Sequence, residues 1–293
     1  MEAWFLYACV SALFAGLQAV VQKVAIERGL STVLVNSYGA LISGSIAFII
    51  LLLSGQPFSI TWYAAIIIFM SGAAYMYGVV SRSRAMRYLD VGVVLTSYKS
   101  ITLLTTVLAG VIFFFESPSG YEWIGILLAA AVPFLLAEHP FRFKREALRS
   151  DGFVLLGVAV AMGTLSMTLT KLGTSLVDSM LLFTACNHLF AGFYGMGQQI
   201  ATHRGDWHKQ FLDYRHSHVE LAFTAVLGGA AQCAGFFALL MAFSLGPLST
   251  VYAVNSVYII IPILFAMWYY KERMTFFRML AILLSIVSVV LLK

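Results

Sequence analysis

Charge is scarce in this sequence. Only 11% of its 293 residues are Asp, Glu, Lys or Arg, while 61% are hydrophobic; a soluble domain carries about 25% charged residues. A chain of this size cannot cover itself in water with so little charge, which excludes a soluble enzyme, a nucleic-acid-binding domain and a disordered protein. Cysteine is sparse too. Cys9, Cys186 and Cys233 each lie in an apolar run, with neither a disulfide framework nor a C-x-x-C metal spacing. A Walker loop, a G-x-S-x-G elbow and clustered metal ligands are all missing from the sequence, so neither ATP coupling nor enzymatic catalysis is expected, and no cofactor. Acids are absent where they would matter most: none of the 13 Asp and Glu lies in the interior of an apolar run. A proton-driven cation exporter relies on a membrane-embedded acid, so that class is disfavoured.

What the chain does have is apolar length. Ten segments approach the roughly 20 apolar residues that cross a bilayer as a helix: 3–24, 33–53, 60–80, 91–115, 121–137, 152–172, 179–200, 219–243, 248–270 and 275–292. Backbone groups in lipid must be satisfied within each segment, and period-two alternation is missing, so the expected fold is an all-α membrane protein rather than a β-barrel. The first run has no basic flank and no small-residue cleavage site, and is expected to be a retained span. The expected setting is multi-pass, in the inner (plasma) membrane, with lipid as neighbour and no nucleic acid as partner; the chain is expected to be a monomer or homodimer.

The sequence also echoes itself. AGLQAVVQKV (15–24) can be laid on GTLSMTLTKL (163–172), pairing Lys23 with Lys171, and YMYGVVSRSRA (75–85) on QCAGFFALLMA (232–242), pairing Gly78 with Gly235. Asn36 falls on Asn187, and Glu116 on Glu272, at similar offsets. Five spans per half is odd, so two similar halves enter the membrane in opposite directions, which is the inverted-repeat plan of many secondary transporters. The expected organisation is a first five-helix repeat over 1–137, a linker over 138–151 and a second repeat over 152–293. Of the 18 basic residues, 15 fall in or beside the connections that follow odd-numbered spans. The positive-inside rule therefore predicts a cytoplasmic location for those connections and an outside location for both termini. Lys171 and Lys293 mark the opposite side, and Lys99 belongs to neither.

The stretch AMRYLDVGVVLTSYKSITLLTTVLAGVIFFFESPSGYEWIGILLA, from Ala85, resembles the repeat of EamA-like drug/metabolite transporters: a small-residue third span leading into a fourth that ends in glutamate, then a fifth that contains glycine. MAFSLGPLSTVYAVNSVYIIIPILFAMWYYKERMTFFRMLAILL is similar to it more closely, with Pro262 and the terminal Glu272, and Ala15-Gly16 with Lys23 matches the first-span pattern. Two departures stand out. Thr105-Thr106 replaces the proline in the first repeat, and Gly125 has no counterpart in the second. The resemblance covers nearly the whole chain. It implies ten spans in two inverted repeats around a central cavity lined by spans 1, 3, 4, 6, 8 and 9, with a metabolite as substrate.

Lys99 is the most informative residue. It lies about nine residues into the fourth span, roughly 13 Å deep at the helical rise. A lysine at bilayer depth costs on the order of 2.5–3.5 kcal/mol, so it is expected to face protein or water. Gly92, Thr96, Lys99, Thr102 and Thr106 follow steps of three and four and form one polar stripe. The competing reading is a lysine snorkelling to the interface. Span 9 offers a matching face of Tyr252, Asn255 and Tyr258 with Ser256 beside it, whose competing reading is interhelical polar glue. Gln18 and Gln22 on span 1, Tyr75 and Tyr77 on span 3, and Gln232 on span 8 complete the candidate lining. Arg82, with Arg84 and Arg87, closes span 3 and sets topology or guides an anion inward. His188 reads as a structural histidine, and Glu116 and Glu272 as helix-end or gate residues.

These features point to a secondary transporter of a small polar metabolite, anionic or zwitterionic, with a carboxylate- or phosphate-bearing substrate favoured. Lys99 would supply charge, and exchange or facilitated transport is favoured over proton coupling. A flippase for a lipid-linked phosphate and a non-transporting membrane subunit are the alternatives.

Overall fold

The computed structural model describes residues 2–28, 30–56, 58–136, 151–202, 218–269, 271 and 274–293. Most of the two long polar connections, and Glu272, lie outside them. Among the described residues every regular element is helical: α1 (Ala3–Glu27), α2 (Thr32–Ser54), α3 (Trp62–Ala85), α4 (Val91–Phe113), α5 (Gly120–Leu136), α6 (Asp151–Thr174), α7 (Met180–Thr202), α8 (His218–Leu245), α9 (Leu248–Ser256), α10 (Ile260–Tyr269) and α11 (Phe276–Leu291). Among the described residues seven spans are long and apolar enough to cross a membrane, the joined α9–α10 among them. The apolar α5 and α11 are shorter, at 17 and 16 residues. With Asn187, His188 and two glutamines, α7 is more polar, yet its 23 residues run along α2 and α3 inside the bundle.

The expected ninth span is broken. Its halves are joined by a tight 3-10 turn, Val257–Ile259. Pro262 accounts for the break, because it has no N–H to give the carbonyl four residues earlier, which belongs to Tyr258. The matched stretch of α4 carries Thr106 instead of proline and runs as one helix.

Helices pack mainly across the halves. The extensive contacts are α1 on α8, α3 on α6, α2 on α7 and α5 on α11, with α4 meeting both α6 and α9. Exchanging the halves turns the α1–α8 pair into the α6–α3 pair and leaves the α2–α7, α4–α9 and α5–α11 pairings unchanged. This is the contact pattern of two repeats related by a pseudo-twofold axis. The crossings use matched residues. A Cβ on Gly78 would lie 3.4 Å from the Ala159 carbonyl oxygen, and one on Gly235 would lie 3.1 Å from Phe14 Cβ and 3.4 Å from the Ala15 nitrogen. Without side chains at these two points α3 and α8 lie close against their partners, the small-residue contact typical of membrane helices.

The corner between α8 and α9 is held by two charges. The Lys171 ammonium donates to the carbonyls of Phe243 and Gly246, the latter at 2.7 Å, at the C-terminal end of α8. The Glu116 carboxylate accepts from the backbone N–H groups of Leu248 and Ser249, the latter at 2.9 Å, at the start of α9. Each charge has the sign that its helix end favours, and each satisfies backbone groups left open there. Glu116 is turned toward α9 by Phe115, whose φ of 55° lies in the left-handed region.

Candidate functional site

The polar stripe on α4 directs the half-buried Lys99 toward the broken span. Its Nζ lies 4.4 Å from the ring centroid of Tyr258, in the 3-10 turn, and 5.9 Å from the ring of Tyr98. A cation over an aromatic face is attracted by the ring quadrupole, by about 0.5–2 kcal/mol depending on desolvation. The break at Pro262 therefore has a local consequence: the turn it creates carries the ring that receives the lysine.

Arg82 is a second cation here. The sequence places it among the connecting residues after span 3, but α3 continues to Ala85, so Arg82 lies in its last turn. Its guanidinium carbon sits 4.7 Å from the Tyr98 ring centroid, and it is close enough to act electrostatically on Lys99. Tyr75, hydrogen-bonded to Gln18 of α1, and Tyr252 of α9 both lie within electrostatic range of Arg82 and Tyr98. Side chains from α1, α3, α4 and the α9–α10 span thus converge on two cations and four tyrosines. Neither Lys99 nor Arg82 is paired with a carboxylate among the described residues.

Most of the remaining expected residues are engaged elsewhere or by their own backbone. Asn255 donates to the Ser11 hydroxyl of α1 at 2.8 Å, and Ser256 donates to the Ala253 carbonyl at 2.7 Å. Thr96 donates to the Val93 carbonyl at 3.3 Å. The Thr102 hydroxyl is buried with no hydrogen-bond partner among the described residues. Gln22 donates to Asn36 at 2.8 Å, joining α1 to α2. Gln232 belongs to a separate buried cluster, with its amide nitrogen 3.5 Å from His188 Nε2 while His188 Nδ1 meets the Ser43 hydroxyl at 2.6 Å. Tyr77 is exposed on the outer surface of α3.

Tyr98 is the residue that the sequence reading missed. It lies one position off the stripe that carries Lys99, on a second polar face of α4 that continues through Thr102 and Thr105. That face meets α6, where Thr105 shares a hydrogen bond with Thr164 at 2.6 Å. An aromatic residue directly before an intramembrane lysine was the available signal. Among the described residues no group of three His, Cys, Asp or Glu could hold a metal ion.

The chain matches the sequence model of the EamA-like transporter family over residues 2–137 and 151–293. None of the curated proteins matches it. One solved structure, described only as "Crystal structure of protein", is similar with a TM-score of 0.79 at 12% identity, covering 99% of this chain and 96% of that one. At that identity the likeness establishes a shared fold.

Proposed function

Because the chain belongs to the EamA-like transporter family, we propose that it carries a small polar metabolite with an anionic group, carboxylate or phosphate, across the membrane by alternating access. Lys99 is the charge that the substrate meets, Arg82 stands beside it, and Tyr75, Tyr98, Tyr252 and Tyr258 supply ring faces and hydroxyls. One observation carries this reading: a lysine deep in the bundle, aimed at aromatic rings, with no carboxylate paired to it among the described residues. Burying an unpaired charge is costly, and a substrate anion supplies the missing partner.

Movement follows from the packing in this proposal. Repeats that meet through matched crossings can rock about a site between them. The broken span and the Lys171–Glu116 corner are the parts that such rocking would have to move or hold. The two repeats are the halves 1–137 and 152–293, with both termini on the outer face and the arginine-bearing end of α3 facing the cytoplasm.

Uptake into proteoliposomes tests the proposal. Purified protein is offered carboxylated, phosphorylated, zwitterionic, neutral and cationic metabolites under counterflow conditions. Accumulation of an anionic or zwitterionic compound, lost in Lys99→Gln, is expected. Accumulation of cations or neutral compounds alone, unaffected by Lys99→Gln, overturns it.

A further inference from the structure

Lys99 is not the only uncompensated charge at the site. Arg82 reaches the same ring, with its guanidinium carbon 4.7 Å and the Lys99 ammonium 5.9 Å from the centroid of Tyr98. The Arg82 Nε is buried and has no hydrogen-bond partner among the described residues. A guanidinium has five donors in a fixed fork and no acceptor, so a buried, unspent N–H is matched by an acceptor from outside the chain. Arg84, two residues on and on the opposite side of α3, shows the contrast: it reaches outward and donates to Thr202 at 3.2 Å.

We propose that the group bound between Lys99 and Arg82 is a divalent anion, a phosphate monoester or a dicarboxylate, and that Arg82 is the residue that selects it over a monoanion. This inference rests on the reading of Lys99 as the substrate charge and adds a charge count to it. Two cations that share one aromatic ring repel each other, and burial weakens the screening between them. A monoanion removes half of that charge and leaves one cation buried and unpaired. A divalent anion removes both, and its several acceptor oxygens reach the ammonium and the guanidinium fork together. Tyr98 is the spacer in this arrangement. Its ring gives each cation a favourable face while the site is empty, a weaker interaction than the ion pair that replaces it.

The test measures binding to the full-length protein in detergent, using matched probes that differ in one charge. Succinate is compared with its monomethyl ester, and phenyl phosphate with its methyl diester, on wild type, Arg82→Gln and Lys99→Gln. Wild type is expected to bind a divalent probe at least about tenfold more tightly than its monovalent partner, the gain of one charge-assisted contact. Arg82→Gln is expected to erase that ratio, weakening the divalent probe by at least about tenfold more than the monovalent one. Lys99→Gln is expected to weaken both. Whichever pair shows the larger ratio separates a phosphate site from a dicarboxylate site. Equal binding of divalent and monovalent probes, with both dependent on Lys99, overturns the divalent assignment and leaves the anion reading standing. Equal loss of both probes in Arg82→Gln removes its selective role. If wild type binds none of the four, both readings fall.

Discussion

The fourth span of each half occupies an equivalent place in the bundle, and the two differ in backbone and in charge. In the first half α4 is unbroken and carries Lys99 deep within it. In the second half the same position is split at Val257–Ile259 and carries only neutral polar groups, Asn255 bonded to Ser11 and Tyr258 beneath the lysine. The two spans pack against each other, so the rigid one presents the charge and the broken one the ring. In the proposed site, two repeats that keep a common fold have diverged at one helix, so that neither would form the site alone.

Removing the charge from the rigid span breaks the comparison most severely. Lys99→Gln is expected to lower kcat/KM for an anionic substrate by about 100-fold, the loss of one contact between buried opposite charges. Its apparent Tm in detergent should not fall, because an intramembrane lysine costs free energy rather than supplying it. Lys171→Met should do the opposite. That lysine is spent on two carbonyls at the end of α8, and leaving them open is expected to cost about 2 kcal/mol of stability. Thermal unfolding would register the loss, while the KM of the surviving protein stays near wild type.

Two smaller effects test the broken span. Pro262→Ala restores the missing N–H and favours one continuous helix, moving Tyr258 out of its turn. Transport turnover is expected to fall about tenfold in single-liposome or stopped-flow assays, a loss of about 1.4 kcal/mol. Asn255→Ala removes the bond to Ser11 and is expected to cost about 0.6–1 kcal/mol of stability, the usual worth of such a bond between membrane helices. Its uptake should stay within about threefold of wild type; a larger fall would show that the amide also meets substrate.

The spans were legible because lipid imposes one answer on a long apolar run, and the helices begin and end within a few residues of the expected segments. The pairing of Gly78 with Gly235 was legible too, since each sits where a partner helix comes within contact distance of a Cβ placed there, more tightly at Gly235 than at Gly78. Lys99 declared itself by its cost. Other features were hidden by the same logic. The break in the ninth span depends on a single proline within a sequence that is otherwise a uniform apolar run. Arg82 read both as a topology signal and as a guide for an anion, and its place in α3 was hidden because that helix outlasts its apolar stretch by a full turn. Lys171 looked like a boundary residue, and only the tertiary fold shows the carbonyls it reaches. Asn255 and Gln22 had the composition of a binding face, yet each is bonded to a neighbouring helix, and sequence spacing alone does not distinguish a polar group facing a partner helix from one facing a site.

The measurement closest to the central claim compares the transported anion with its neutral methyl ester by equilibrium binding to wild type, Lys99→Gln and Lys99→Arg. The account predicts that wild type binds the anion and discriminates against the ester by at least about tenfold. Lys99→Gln should lose that discrimination, and Lys99→Arg should recover part of it. Undiminished preference for the anion in Lys99→Gln would contradict the account.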